Sequence, residues 1–274
     1  MIQSHTILNS FVVEGIGLHT GAAARVEVHP ASAPHGRVFL REGVEIPALS
    51  DFVVDTRRCT TLGRDGHTVS TVEHLLAALM LAGIDHVNIY SDGPEIPILD
   101  GSALQWYHAI HTAGICTLET ETPLIQITEP CWINDNQSDF FLFPSERLVL
   151  HAALSIPDTV AEHMLAGGPL DDDSVKEQIV RARTFGLERE VKALLDAGLA
   201  LGGSLDNAVI LTEHGYVNDH VWPAEPSWHK VLDLLGDLAL TGARIHGRIL
   251  AVRGGHRSHV ALASRLRQSA GLGG

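Results

Sequence analysis

The sequence predicts an α+β protein made of two similar domains, each a β-sheet with helices packed on it as a two-layer sandwich. Two observations support this prediction. Short segments of β-branched or alternating apolar residues recur through both halves of the 274-residue chain, and each half also contains at least two helical segments. The strands are clustered rather than strictly alternating with helices, which is typical of α+β folds. We expect the domains to span residues 1–120 and 121–274.

The first half is predicted to contain four strands and two helices. One helix follows Ser70 and stops at Gly83, and the other begins near Ser102 and stops at Gly114. The polar stretch 119–123 is predicted to be a linker between the domains. The strands are predicted at 11–13, 25–28, 37–40 and 87–90.

The second half repeats this organisation. Three strands precede a helix, and a strand–helix–strand unit then occupies residues 182–212. A long helix, a strand and a terminal helix complete the chain. The strands are predicted at 124–127, 140–143, 148–154, 183–186, 207–212 and 248–252, and the helices near 175–181, 190–197, 226–240 and 258–268.

Composition and charge restrict the class of protein. Acidic residues outnumber basic ones by 33 to 19, giving a formal net charge of −14, which argues against nucleic-acid binding because phosphate contacts need a basic face. No apolar run approaches the roughly 20 residues of a membrane span, and the start of the chain lacks the pattern of a signal peptide. The three cysteines (Cys59, Cys116 and Cys131) have no CxxC spacing, which favours a reducing compartment. We therefore expect a soluble cytoplasmic protein.

A first candidate site lies at the start of the first predicted helix, in Ser70-Thr71-Val72-Glu73-His74. Ser70 and Glu73 have the spacing of a capping box, in which the glutamate reaches back to the amide of the cap residue. Glu73 and His74 could instead supply a base beside a metal ligand. Adjacent side chains diverge by about 100° on a helix, so both line one cavity only if it wraps around the helix end. The spacing leaves both interpretations open.

A second candidate is the long helix that contains His229, Asp233 and Asp237, which recur every four residues beside an apolar stripe. His229 and Asp233 lie one turn apart, and a histidine–carboxylate pair at this spacing can hold Zn²⁺ from a single helix. The pair could equally form a hydrogen bond on a solvated flank. Asp237 could support such a site or face water.

Three other segments carry weaker signals. In Arg253-Gly254-Gly255-His256, two glycines permit a sharp turn before a helix, and His256 could be exposed there or face a site. The segment 95–102 is interpreted as structural, with Asp100 or Ser102 capping the following helix. A hydroxyl at Thr184 could hydrogen-bond a reacting oxygen, although the residue alone indicates little.

From the residues alone, we infer a metal hydrolase that takes one histidine from one domain and a His/Asp pair from the other. His74, His229 and Asp233 would meet the usual count for catalytic zinc, which is three protein ligands and one open position. Spacing alone does not decide between this site and the structural interpretations.

Taken in order, these segments resemble one family, the zinc-dependent UDP-3-O-acyl-N-acetylglucosamine deacetylases of lipid A biosynthesis. The resemblance covers nearly the whole chain, and the combined spacing is far more specific than any one segment. The segments that carry it are 13–21 (VEGIGLHTG), 71–74 (TVEH), 95–102, 182–186, 202–204 (GGS), 229–237 and 254–256 (GGH).

The resemblance implies two similar domains with the active site between them, and it assigns roles to individual residues. Glu73 would be the general base and His256 the general acid, with Asp237 orienting His256. The ligands of one catalytic Zn²⁺ would be His74, His229 and Asp233.

The resemblance also implies a UDP-linked acylated amino-sugar as the substrate. Lys230 would contact the phosphates, and Thr184 would help to stabilise the oxyanion. The insert, which we define as residues 182–212, would form a hydrophobic passage for the acyl chain. The residues expected to line this passage are Leu18, Cys59, Phe185, Val191, Ala200, Ser204, Ala208 and Ile210.

Some positions depart from the usual pattern of the family. Trp228 stands where members usually carry arginine, and Arg57-Arg58 precede the expected mouth of the passage, where many members have apolar or mixed residues. Two alternatives stay open: a zinc amidohydrolase acting on a related N-acetylated sugar, and a catalytically idle zinc-binding relative. We expect a cytoplasmic enzyme, favoured as a monomer, with no nucleic-acid partner and at most transient contact with the inner membrane surface.

Overall fold

The protein is described by a computed structural model that covers residues 2–135 and 137–273. Helices and strands cluster in each half as the sequence predicts. The helices are α1 (Glu73–Leu81), α2 (Leu104–Ala113), α3 (Asp173–Arg181), α4 (Glu188–Asp196), α5 (Glu225–Leu238) and α6 (His256–Ser269). The strands of the first half are β1 (Ile2–Ile7), β2 (Phe11–Ile16), β3 (Ala23–Pro30), β4 (Arg37–Arg41), β5 (Val44–Pro47), β6 (Val53–Asp55), β7 (Thr61–Arg64), β8 (His67–Val69), β9 (Val87–Ser91) and β10 (Ile115–Thr122). Those of the second half are β11 (Leu124–Gln126), β12 (Cys131–Asp135), β13 (Ser138–Phe143), β14 (Leu148–Leu154), β15 (Met164–Pro169), β16 (Phe185–Leu187), β17 (Val209–Leu211) and β18 (Arg244–Val252).

The two larger sheets share one topology. In the first half the strand order is β2-β3-β9-β4-β5, and the successive pairings are antiparallel, antiparallel, parallel and antiparallel. In the second half the order β12-β13-β18-β14-β15 has the same succession of pairings. The prediction of an α+β fold built from two similar halves is confirmed. The boundary between residues 120 and 121 stays a prediction.

Helix α5 holds the two halves together. It packs on β14 and β15 and also against α1 and α6. One continuous apolar core runs through both halves and includes the fully buried side chains of Phe39, Leu75, Trp106, Phe140 and Leu232. Leu75 lies in α1 and Leu232 in α5, so the contact between these helices is part of the common core. Burial of large apolar side chains is the main favourable term in folding.

The insert is a distinct unit of the second half, although Gly202 packs directly on the backbone of Gly17. Its strands β16 and β17 form a separate two-stranded parallel sheet, as the predicted strand–helix–strand unit requires. Helix α4 between them has no buried residue. Val209 and Leu211 of β17 join a small apolar cluster with Leu154 and Ala161, which is how the insert contacts the second sheet.

One sequence prediction about the connection between the halves is wrong. The polar stretch 119–123 is not a linker, because residues 119–122 continue β10, which pairs antiparallel with β1. Backbone hydrogen bonds to β1 stabilise this part of the strand, and the polar side chains of Glu119 and Glu121 are exposed to water. No helix among the described residues is long and apolar enough to cross a membrane.

Candidate active site and metal centre

A cavity of about 240 Å³ lies between the two halves of the chain. Residues from both halves line it, including seven of the residues that the sequence singles out for metal binding, catalysis or phosphate contact. The lining consists of Leu18, His19, Arg58, Thr71, Glu73, His74, Leu154, Ile156, Thr184, Phe185, His229, Lys230, Asp233 and His256.

The start of α1 approaches α5 closely because α5 carries a glycine at the contact. A Cβ atom on Gly236 would lie 2.1 Å from the carbonyl oxygen of Glu73, a distance that no side chain tolerates. The glycine therefore lets the backbones touch. This contact brings Glu73 and His74 of α1 beside Asp233 and Asp237 of α5.

Three buried side chains form a candidate metal site. His74, His229 and Asp233 are each at most 3% exposed, and their ligand atoms lie within 4.8 Å of one another. His229 Nε2 is 3.2 Å from Asp233 Oδ1, while its Nδ1 is 3.0 Å from the carbonyl oxygen of Ala182. That carbonyl can only accept, so Nδ1 carries a proton, and Nε2 is the nitrogen that would bind a metal. The alternative of a solvated flank for His229 and Asp233 is wrong.

The charges of this trio suit a divalent cation. Burial, together with the nearby His229, lowers the pKa of His74 to about 3, so its imidazole is neutral. Burial acts to raise the pKa of Asp233, but His229 and Lys230 lower it to well below its ordinary value. Two imidazoles and one carboxylate, converging in one buried space, are a donor set that zinc prefers.

Glu73 is a buried carboxylic acid at the edge of the trio. Its Oε2 accepts a hydrogen bond from the amide of Thr60 at 3.1 Å. Burial is the main cause that raises its pKa to about 7, with Asp237 and Asp233 adding to the rise and His256 opposing it. The capping-box interpretation is wrong: α1 has no side-chain cap, and the Ser70 hydroxyl instead accepts from Thr61 at 3.0 Å.

His256 faces Glu73 from the first turn of α6. Its Nε2 lies 3.9 Å from Glu73 Oε1, and its Nδ1 lies 2.9 Å from Asp237 Oδ2. Burial acts to lower the pKa of His256, but Asp237, Asp233 and Glu73 raise it to about 9. The side chain is 10% exposed, so His256 is not the exposed turn residue of the structural alternative, and the fully buried Asp237 does not face water.

Glu95 holds two residues that line the cavity, His19 and Thr71. It is 1% exposed and accepts hydrogen bonds from the amides of His19 and Thr20 and from the hydroxyls of Thr20 and Thr71. Thr71 has a φ of +58°, a strained value for a β-branched residue. In the segment 95–102, the Ser102 hydroxyl accepts from the amide of Leu104, the first residue of α2, at 3.1 Å, but the N-cap residue of α2 is Ala103, which supplies no side-chain cap, so the predicted cap at Asp100 or Ser102 is displaced by one residue.

Lys230 and Thr184 lie on the wall of the cavity. Lys230 Nζ is 2.7 Å from Asp233 Oδ2 and 5.4 Å from the centre of the Phe185 ring. Thr184 is held by its backbone, since its amide donates to the carbonyl of Gly101 at 2.7 Å. Both side chains are thereby fixed beside the trio, and their roles toward phosphate and oxyanion stay predictions.

The residues predicted for the acyl passage divide into two groups. Leu18 and Phe185 line the cavity, and Cys59 is buried near Glu73, where burial and that carboxylate raise the pKa of its thiol to about 12. Ser204 is exposed in a turn. Those that lie in the insert, outside the lining of this cavity, are Val191, Ala200, Ser204, Ala208 and Ile210. Their place along a passage stays a prediction.

The sequence interpretation missed several residues of the site. His19 lines the cavity, and so does Arg58, which the sequence places only near the mouth of the acyl passage; its Nη1 lies 2.9 Å from Glu190 Oε2 of α4. Thr60 and His259 both contact Asp237. His19 lies in a segment that carries the family resemblance, which was a usable signal. Nothing in the spacing around Thr60 or His259 marks them, because only the fold brings them to Asp237.

Comparisons with known proteins identify the family of the chain. A family model described as UDP-3-O-acyl N-acetylglycosamine deacetylase matches residues 4–268. A UDP-3-O-acyl-N-acetylglucosamine deacetylase of Leptospira biflexa is 40% identical over 270 residues, which cover 96% of this chain and 89% of the relative. Proteins of the same name from Myxococcus xanthus and Nautilia profundicola are 39% and 37% identical, over 89% and 97% of this chain and 80% and 92% of the relatives. The predicted resemblance and the predicted enzyme class, a deacetylase that hydrolyses an amide, are confirmed. The chain belongs to the UDP-3-O-acyl N-acetylglycosamine deacetylase family.

Proposed function

We propose that the protein is a zinc-dependent cytoplasmic enzyme that hydrolyses the N-acetyl group of UDP-3-O-acyl-N-acetylglucosamine in lipid A biosynthesis. The products would be acetate and UDP-3-O-acyl-glucosamine. The observation that carries the proposal is the meeting of an acid–base pair, Glu73 and His256, with a His/His/Asp trio in one cavity. A protein that only bound zinc would need the trio and not the pair.

His74, His229 and Asp233 would hold one Zn²⁺. When bound, the ion supplies Lewis acidity, which makes water more acidic and polarises the acetyl carbonyl. The fit rests on the chemistry of the donors, because the three are buried, two are imidazoles and one is a carboxylate whose pKa His229 and Lys230 hold well below its ordinary value. Ala182, through its carbonyl, would keep His229 in the tautomer that binds metal.

Glu73 and His256 would carry the protons of the reaction. Water forms a new bond to the acetyl carbon and gives one proton to Glu73, and the carbon–nitrogen bond then breaks as the nitrogen takes a proton from His256. A base that begins unprotonated and an acid that begins protonated are both needed. Glu73 Oε1 and His256 Nε2 lie 3.9 Å apart, which is close enough for both groups to act on one reacting centre.

The remaining parts of the substrate would lie along the rest of the cavity. Lys230 would bind the phosphates of UDP, and Thr184 would hydrogen-bond the oxyanion. The acyl chain would follow Leu18 and Phe185 into the passage of the insert, where burial is worth at most about 0.8 kcal/mol per CH₂. We propose a monomer that meets its acylated substrate at or near the inner membrane surface.

The test is a deacetylation assay on UDP-3-O-acyl-N-acetylglucosamine with and without a chelator, combined with metal analysis of the purified protein. We expect about one zinc per chain, loss of activity on chelation and recovery on adding zinc. Asp233→Ala should lose both zinc and turnover, because three ligands leave no redundancy. Full zinc content and activity in Asp233→Ala would overturn the site. Equal activity on N-acetylated sugars without UDP or acyl groups would instead favour a broader amidohydrolase.

A further inference from the structure

A second histidine of α6 contacts Asp237, and the roles proposed above do not use it. The His259 side chain is 1% exposed, and its Nδ1 lies 3.0 Å from Asp237 Oδ2. His256 Nδ1 lies 2.9 Å from the same oxygen, while Thr60 donates to Oδ1 at 2.6 Å. A carboxylate can only accept, so both imidazoles carry a proton on Nδ1. Three donors therefore hold one buried carboxylate.

The ring of His259 is itself held in place. A Cβ atom on Gly254 would lie 2.4 Å from His259 Nε2, so the glycine before His256 leaves the space that the ring fills. On another side the ring packs edge to face against Phe140, with 6.1 Å between ring centres. The turn that begins α6 and the sheet below it thus aim His259 Nδ1 at Asp237.

We infer that His259 is a positioning residue for the proton transfer: its Nδ1–H holds the Asp237 carboxylate in the orientation that keeps His256 toward Glu73. The inference rests on the proposed function, since it needs Glu73 and His256 to act as base and acid. Without the second imidazole, Asp237 would keep one fewer donor on Oδ2, and both the carboxylate and His256 would gain rotational freedom. Outer partners of this kind orient the groups that react.

Asp237 Oδ2, which both imidazoles contact, also affects the pKa of His256. The His259 donor takes up part of the accepting capacity of Asp237, so its loss would leave more negative charge for His256 and raise the pKa of His256 further. The other groups that face the network come from three elements. They are Glu73 and His74 of α1, Asp233 and Lys230 of α5, and His19 of the loop after β2.

The experiment compares zinc-loaded His259→Leu and His259→Asn with the wild type. The amide nitrogen of asparagine is as many bonds from the backbone as Nδ1 of histidine, so it can replace the donor, whereas leucine cannot. We expect His259→Leu to lower kcat by about 10–100-fold, with little change in KM, and to move the basic limb of the pH–rate profile up by roughly one unit. His259→Asn should stay close to the wild type. His151→Leu, which removes a half-buried histidine of β14 outside the network, is the matched control.

The following outcomes decide the inference. An unchanged basic limb in His259→Leu, or equal losses in the Leu and Asn variants, would show a merely structural role. If His259→Leu does not fold, His259→Asn is compared with His259→Gln, whose amide nitrogen lies at the place of Nε2 and not of Nδ1. Equal pH–rate profiles in the Asn and Gln variants would overturn the inference. Glu73→Gln and His256→Ala distinguish a failure of the proposed function from a failure of this inference. Full activity in these two variants would overturn the proposed function. If they are inactive while His259→Leu behaves as the wild type, only this inference is overturned.

Discussion

The catalytic cavity and the insert differ in how the protein holds them. Around the cavity, the carboxylates Glu73, Asp233 and Asp237 are at most 3% exposed, and each one has a hydrogen-bond partner. In the insert, helix α4 has no buried residue, and Leu195, Leu201 and Leu205 are about half exposed.

The difference follows from what each region must do. A buried carboxylate costs free energy unless its partners are fixed in place, so a centre with three of them can exist only in a closely packed setting. The passage proposed for the insert would bind a flexible hydrocarbon, which needs apolar surface and no exact position. We therefore expect the chemistry to depend steeply on single atoms of the centre, and the insert to tolerate change.

The largest expected effect is on turnover, at the acid–base pair. Glu73→Gln and His256→Ala should each lower kcat by about 10²–10⁴-fold, because each removes one proton transfer. Zinc should stay bound in both, since neither is a proposed ligand, and metal analysis checks this. The double variant should lose less than the product of the two single losses, because both groups serve one sequence of transfers. A variant of either residue with wild-type turnover would contradict its role.

The next expected effect is on stability, and it compares the two regions directly. Gly236→Ala places a Cβ atom 2.1 Å from the Glu73 carbonyl oxygen, whereas in Gly186→Ala of β16 the nearest atom is 3.6 Å away. Forcing α1 and α5 apart should lower the free energy of unfolding by about 1–3 kcal/mol or more, and Gly186→Ala should change it by at most about 0.5 kcal/mol. Denaturant unfolding measures both. Equal losses would mean that β16 is packed as closely as the contact between α1 and α5.

The third prediction concerns pH, and its sign follows from the two roles. Turnover needs Glu73 ionised and His256 protonated, so the rate should rise with pH through an acidic limb and fall through a basic one. Asp237, Asp233 and Glu73 raise the pKa of His256 to about 9, and a bound divalent cation would bring the basic limb below that value. The pKa of Glu73 is about 7, and a bound divalent cation next to it would lower the acidic limb below that value. His256→Ala should abolish the basic limb, and its persistence would assign that limb to another group.

Much of the fold could be predicted from the sequence, and the failures have physical causes. The helices α1, α2, α5 and α6 carry strong apolar periodicity or clear stop signals, and their predicted positions agree within a few residues. The sequence interpretation missed β1, β5, β6, β7, β8, β12 and β15. Of these, β15 contains Gly167-Gly168, which resembles a turn, although the strand pairs along its length with β14. The end of β10 was predicted as a linker because its side chains are polar. In both cases neighbouring strands supply the hydrogen bonds, which local composition does not reveal.

The site divides in the same way. One helix carries three residues of the site at a spacing of four: His229, Asp233 and Asp237. Their proximity can therefore be predicted from a single stretch of sequence. Glu73 and His256 had to be assigned by family resemblance, because only the tertiary contact between α1, α5 and α6 brings them together. Thr60 meets Asp237 across 177 positions of the chain, and no local pattern can indicate a contact of that kind.

The smallest expected effect is at the ion pair that joins the two regions. Arg58 Nη1 is 2.9 Å from Glu190 Oε2, with side-chain exposures of 51% and 35%, and exposed pairs of this kind contribute about 0.2–1 kcal/mol. Glu190→Gln, which keeps Arg58 in the cavity wall, should therefore change kcat/KM for a long-chain substrate by at most about fivefold. Added salt should bring the wild type and the variant together, because it screens the pair.

A double-mutant cycle separates the pair from the other contacts of Arg58. Arg58→Ala removes a side chain that lines the cavity, so its effect alone mixes lost lining with lost charge, whereas the coupling with Glu190→Gln isolates the interaction. We expect a coupling below about 1 kcal/mol for a long-chain substrate and near zero for a short one, because only a long chain would reach the insert. A coupling several times larger, equal for both chain lengths, would mean that the pair fixes the centre itself. The insert would then belong to the rigid region, and the contrast between the two would disappear.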